Sequence, residues 1–374
     1  MRNGPNRRSW TRDAAAVAGA VTLAVMLCGR AASAERGAQD PTPAPSLRAA
    51  PGTLDFNADG KADIFRYDPS SGAWVKALGD GGRAFTMTTG QWSPAWSVTA
   101  ADFNADRHTD IFLYNDTTGV WVKAYSDEAG GFRYVRGQWS AGWRPLVLDL
   151  DGDQVSDVFL YNPETGRWFG CLNRADGDFT YYAGAWSPGW RLYPAEWNGD
   201  SYTDLFLFNG TTGQWFKVMN DGRGGFVYQT DTWTPGWNVV PGEFDGDGRS
   251  DLFLHNPTTG AWYICFSRDT GFTYLSGMWN TGWTLTAADF DGNGLTDLLL
   301  YDPERGQWYE AIRRLDYKAG FLYYSGTWEP HAQPFVTDFN GDRRSDVLLL
   351  SGSIWTQAIT SMPGAFDYSR GSWD

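Results

Sequence analysis

The segment Glu243-Phe-Asp-Gly-Asp-Gly-Arg-Ser-Asp251 sets oxygen-bearing side chains at positions one, three, five and nine. A tight loop with that spacing can wrap a hard cation, with position seven adding a backbone carbonyl. The pattern begins again at Asp55, Asp102, Asp149, Glu196, Asp289 and Asp338; successive starts are 47, 47, 47, 47, 46 and 49 residues apart. A fixed period of that length identifies a repeat protein.

The candidate ligands are Asp55, Asn57, Asp59 and Asp63; Asp102, Asn104, Asp106 and Asp110; Asp149, Asp151, Asp153 and Asp157; and Glu196, Asn198, Asp200 and Asp204. The last three sets are Glu243, Asp245, Asp247 and Asp251; Asp289, Asp291, Asn293 and Asp297; and Asp338, Asn340, Asp342 and Asp346. No His or Cys joins them, so the donors suit calcium, up to seven ions, and not zinc. An Asx-rich turn can hold its own backbone without metal, but seven recurrences of four oxygens weigh against that reading. An EF-hand or dockerin is excluded, because a strand and not a helix follows each loop. Position six is glycine only at Gly60, Gly248 and Gly294; Arg107, Gln154, Ser201 and Arg343 stand there elsewhere. Those replacements, and the longer Glu196 and Glu243, are expected to weaken their loops.

The elements around each loop read as strands. Trp96-Ser-Val-Thr-Ala-Ala leads into one loop, and the unbroken apolar run Ile111-Phe-Leu-Tyr114 leaves it, as a strand buried on both faces would. A turn with glycine at Gly119, a third strand Trp121–Tyr125, a Gly-Gly loop and a fourth strand Phe132–Trp139 complete the unit. Four antiparallel strands repeated seven times predict an all-β, seven-bladed β-propeller over 51–374; an open solenoid is the alternative. Residues 46–54 make a weak first strand, so the seam between first and last blades is expected to be soft.

The succession of strand, Asp-x-(Asp/Asn)-x-Asp-Gly-x-x-Asp and strand resembles the FG-GAP/VCBS repeats of integrin α-subunit heads and of calcium-bearing propeller lectins. The resemblance covers 54–374. It implies that the loop joins the first two strands of a blade and that its calcium is structural. It does not fix the ligand, since the same repeat serves adhesion, lectin and enzyme-accessory roles.

Arg2, Arg7, Arg8 and Arg12 precede an apolar run from Ala14 to Cys28, and Ala32-Ser33-Ala34 offers a cleavage site. Residues 1–34 therefore read as a signal peptide, with Arg7-Arg8-Ser9-Trp10 also suiting a twin-arginine route. The run is too short for a membrane span. Leu27 makes Cys28 a poor lipidation site, and 35–50 reads as a flexible leader. The expected address is secreted, periplasmic or cell-surface. Removing the signal's five Arg and one Asp takes the formal charge from −14 to −18, a poor match for nucleic acid or anionic membranes. Cys171 and Cys265 occupy one repeat position two blades apart, too distant for a disulfide in a ring.

Catalysis is not expected. His108, His255 and His331 fall at unrelated repeat positions, and the regularly placed acids are assigned to cations. The expected activity is non-catalytic binding. Carbohydrate is favoured, a protein or matrix partner is the alternative, and a polysaccharide-processing enzyme is the weakest reading. Strand parity puts the acidic and Gly-Gly loops on one face and the Thr-Thr-Gly turns and blade connectors on the other. The connectors place Trp96, Trp143, Trp190, Trp237 and Trp283 near blade junctions, where indoles could stack on sugars or simply plug gaps.

Overall fold

A computed structural model describes residues 54–81, 84–127, 130–174, 177–317 and 320–373. The expected export signal and leader, and most of the expected first strand, lie outside them. Blade three shows the plan. Its strands Arg144–Leu148, Asp157–Tyr161, Arg167–Asn173 and Phe179–Ala185 pair antiparallel in sequence order. Five more sheets repeat this four-stranded order, and blade one contributes Ile64–Tyr67, Ala73–Gly79 and Phe85–Gln91. No helix occurs among the described residues.

Burial explains the sequence pattern. The first strands of neighbouring blades approach one another at the centre, and the fourth strands alternate exposed and covered residues. The second strand is enclosed by sheet neighbours and by blades on both faces, so all five residues of Asp157–Tyr161 are buried. That is why it reads apolar without alternation. On the third strand beside it, the Trp168 ring covers Gly184 of the fourth, where a Cβ would collide with the indole. Glycine holds this place in six blades; in blade four it is Asp231.

Seven apolar clusters fill the seven blade junctions. Between blades two and three, Phe103, Phe112 and Tyr114 meet Val158, Leu160 and Phe179. Between the last and first blades, Phe339, Leu348 and Trp355 meet Ala62, Ile64 and Ala77. The ring is closed. Cys171 and Cys265 are buried free thiols, and burial pushes both thiols well above their ordinary range.

Two polar clasps cross the junctions as well. The amide at position eight of each acidic loop donates to the position-one carbonyl of the preceding loop, as Thr109 does to Asp55 and Ala62 to Asp338. Five position-eight hydroxyls return the favour: Thr109, Ser156, Ser250, Thr296 and Ser345 accept the position-one amide next door at 2.7–2.8 Å. On the outer rim, the strand-four indoles of Trp92, Trp139, Trp186, Trp233, Trp279 and Trp328 donate to tyrosine hydroxyls of the following blade at 2.9–3.1 Å.

The seam lacks the side-chain half of both clasps. Ala62 has no hydroxyl, Met87 replaces the tyrosine, and Trp373 Nε1 is buried without an acceptor. Arg66 stands where the other blades carry a core leucine such as Leu113, with its guanidinium 5.0 Å from the Trp373 ring centre. A lost hydrogen bond of this kind is worth about 1 kcal/mol, or roughly 1–3 °C in a domain of this size. Met87→Tyr and Ala62→Ser should each raise the melting temperature by that amount, and Tyr181→Phe should lower it similarly. Scanning calorimetry that finds neither gain would show the seam to be no weaker than its neighbours.

Candidate functional site

Each acidic loop is shaped by hydrogen bonds to its own carboxylates. In the seventh, Asp338 accepts from the amides of Gly341 and Arg343, Asn340 from Asp342, and Asp342 from Arg344, at 2.7–2.9 Å. Positions four and six are left-handed throughout. Position six has φ of 66–72° at Arg107, Gln154, Ser201 and Arg343 and about 80° at Gly60, Gly248 and Gly294. The non-glycine loops thus keep the same turn, at a steric cost of roughly 1–2 kcal/mol each. Position four is glycine in five loops and Ala58 or Ala105 in the first two.

Position nine is the deepest member. Asp63, Asp110, Asp157, Asp204, Asp251, Asp297 and Asp346 are essentially fully buried. One oxygen of each accepts the amide that follows position one, and the other accepts an amide where the third strand ends. For Asp157 these are Leu150 at 2.9 Å and Asn173 at 2.7 Å. Burial outweighs these bonds and raises the carboxyls from 3.8 to about 6 for Asp63, about 7 for Asp110, Asp157, Asp204, Asp251 and Asp346, and about 8 for Asp297.

Carboxylates at positions one, three and nine converge. In the sets Asp149, Asp151, Asp157; Glu243, Asp245, Asp251; and Asp289, Asp291, Asp297, one oxygen from each residue lies within 4.8 Å of the others. Position five is exposed in every loop, at Asp59, Asp106, Asp153, Asp200, Asp247, Asn293 and Asp342. Asn57, Asn104, Asn198 and Asn340 hold position three in the remaining loops. The Oδ1 atoms of Asp151 and Asp245 are buried with no hydrogen-bond partner among the described residues. An all-oxygen cluster with an unpartnered buried oxygen fits a hard divalent cation.

The faces divide as strand parity requires. The Lys61 ammonium reaches the Asp80 carbonyl, which joins an acidic loop to a third-to-fourth connection. On the other face the Tyr161 hydroxyl donates to the Ser187 carbonyl of the blade connector. There Trp143 and Trp190 are buried edge-on against Phe169 and Phe216, while Trp96, Trp237 and Trp283 remain half-exposed. Each indole nitrogen of Trp96, Trp143, Trp190 and Trp237 is tied to the hydroxyl three residues earlier. Sequence reasoning missed the rim. Tyr134, Tyr181, Tyr228, Tyr274, Tyr323 and Tyr368 are 46–57% exposed, each against a strand-four Trp of the preceding blade. Their recurrence two residues into the fourth strand was the available signal.

Residues 55–113 match the FG-GAP-like repeat family, and seven blades that each carry the loop are consistent with an FG-GAP propeller. No curated protein matches the chain. Among solved structures, a lectin of Agrocybe aegerita that recognises non-reducing terminal N-acetylglucosamine is similar over 84% of this chain and 91% of its own, at 15% identity and a TM-score of 0.66. A candidate 6-phosphogluconolactonase of Bacteroides fragilis is similar over 85% and 99%, at 10% identity and a TM-score of 0.53. A dihydro-heme d1 dehydrogenase is similar over 87% and 69%, at 9% identity and a TM-score of 0.53. Such identities establish a shared fold and leave activity open. No helix among the described residues is long and apolar enough to cross a membrane.

The buried position-nine acids give a pH signature. Their raised folded values mean that the stability they contribute is fully present below about pH 4 and is lost as pH rises through 6 to 8. A bound cation favours the ionised form and should cancel that loss. In chelator the melting temperature should fall between pH 5 and pH 8, and in millimolar calcium it should hold. Parallel pH profiles in the two buffers would rule out cation binding by these loops.

Proposed function

We propose that this chain is an exported, calcium-stabilised propeller that binds carbohydrate and does no chemistry. The observation that carries the sugar reading is the rim. Six blade junctions repeat one arrangement, a half-exposed tyrosine ring held by its hydroxyl to a tryptophan of the blade before. Flat, fixed aromatic rings suit the apolar face of a pyranose, and fixing them beforehand reduces the ordering cost of binding. Trp96, Trp237 and Trp283 add half-exposed indoles on the connector face. Trp143 and Trp190, the other two expected ligand residues, are buried and offer a sugar less surface than these three. The likeness to an N-acetylglucosamine-binding lectin supports the same class of ligand.

Calcium in this reading is held by positions one, three, five and nine of the loops and neutralises clustered carboxylates. It supplies fold stability and no reactive group. Export is supported by the amino-terminal charge and hydropathy pattern alone.

A glycan array that includes N-acetylglucosamine-terminated chains tests the function directly. Binding is expected, and it should weaken stepwise in Tyr134→Ala, Tyr181→Ala and Tyr228→Ala. Tyr181→Phe should retain most of it, because the ring stays. Each lost ring should cost about 1–2 kcal/mol at its own site. An array without signal, in a sample whose melt is normal, would discard carbohydrate in favour of a protein or matrix partner.

A further inference from the structure

Loops three and five each present four carboxylates, opening on Asp149 in one and the longer Glu243 in the other, yet they handle the charge differently. In loops one, two, four and seven the position-three amide bridges to position five. Asn57, Asn104, Asn198 and Asn340 donate through Nδ2 to Asp59, Asp106, Asp200 and Asp342 at 2.7–3.3 Å. Loop six reverses the roles, with Asn293 donating to Asp291 at 3.0 Å. Loops three and five have aspartate at both places and no such amide.

In loop five an arginine fills the gap. Arg268 lies on the connection between the strands Ala261–Ser267 and Phe272–Met278. Its Nη1 is 2.9 Å from Asp245 Oδ2 and 3.7 Å from Asp247 Oδ2. In loop three, Arg174 occupies the corresponding place, yet among the described residues no cation pairs with Asp151 or Asp153. Burial, and then Asp153 beside it, raise the Asp151 carboxyl above its ordinary value. The sequence carries a matching pattern. The residue after the third-strand amide that donates to the position-nine acid is arginine (Arg174, Arg268, Arg314) in the three repeats with aspartate at position three. It is Asp80, Asp127, Asp221 or Ser361 in the four with asparagine. Arg314 turns instead to Asp316 at 2.9 Å, so among the described residues Arg268 is the one of the three that pairs with its loop.

We propose that Arg268 is a built-in counter-cation that competes with calcium for the fifth loop. The third loop, with four carboxylates and no such partner among the described residues, leaves its charge to be met by an ion or by protons. This rests on the calcium reading above. The guanidinium engages Asp245 Oδ2 and cancels one of the loop's four negative charges. Calcium arriving there meets a weaker field and must either displace the arginine or tolerate it. Because Arg268 is 40% exposed, solvent screens the pair and the competition is moderate.

Arg268→Ala and Arg268→Gln, melted in chelator and in millimolar calcium, test the proposal together with calorimetric calcium titration. Both variants should lose several degrees in chelator and much less in calcium. One calcium site should tighten by about threefold to tenfold. Asp151→Asn should do the reverse at loop three, rising in chelator and gaining less from calcium. Equal losses in both buffers would make Arg268 a packing residue, and unchanged affinity would likewise end the competition. A wild-type chain that takes up no calcium and melts alike in both buffers would refute the calcium reading and the competition together.

Discussion

Everything in a blade hangs on a carboxylate buried at position nine. Asp157 ties the start of its own loop, through the Leu150 amide, to the end of the third strand, through Asn173. Three of the four strands are thereby pinned to one side chain. No neutral residue of that size offers two acceptor oxygens to two amides. The same choice brings an acid into the protein interior, beside two more acids, seven times over. Charged acceptors are strong hydrogen-bond partners and poor occupants of a core, and the raised values of all seven position-nine acids express that conflict. The rest of each loop can be understood as ways of living with it: amides from positions four, five and six, asparagine in place of aspartate, an arginine, and space for a cation.

The loops also do architectural work. Their backbones touch in a ring, each position-eight amide bonded to the loop before it. A ligand that stiffens one loop therefore bears on two junctions. Coupling between cation and fold follows from this contact without any long-range pathway. The rim clasp acts at the far edge of the same junctions, so blades are held at the centre by backbone and at the periphery by indole and phenol.

Much of this was legible because it is periodic. The acid spacing, the unalternating second strand and the interval of about 47 residues define the blade and its count. Local geometry set the face assignment, since strand parity needs only connectivity. What escaped notice was either local and quiet or distant and paired. Positions four and eight look like filler beside the acids; only the structure shows the left-handed turn at Gly152 and the hydroxyl of Ser156 clasping Asp102. The Trp139–Tyr181 bond joins residues 42 positions apart, in different blades, so no single repeat contains it. The seam is a third kind of case. Ala62, Arg66 and Met87 each depart mildly from their repeat, and their meaning appears only when the ring brings them against the last blade.

Buried side chains on the third strand show why the blades are not interchangeable. One position holds Lys76, Lys123, Gly170, Lys217, Ile264, Glu310 and Gln357 in turn. The Lys217 ammonium donates to Ser267 and to the Gly271 carbonyl of the next blade, and lies over the Phe272 ring. At the sixth junction the polarity is inverted: Glu310 accepts the Gly364 amide, its other oxygen has no partner, and burial lifts its carboxyl to about 7. Exchanging these two partners would bury an ammonium against an amide donor and a carboxylate against a carbonyl. The ammonium would lack an acceptor and the carboxylate would keep only the Ser267 hydroxyl as donor, mismatches that cost several kcal/mol where a misfitted methyl costs about one. A chain of near-identical repeats risks pairing the wrong blades during folding. Seven apolar junctions of similar shape would discriminate poorly among them, whereas a lysine in three blades, a glutamate in the sixth and apolar residues in others penalise some of the wrong neighbours at this one buried position.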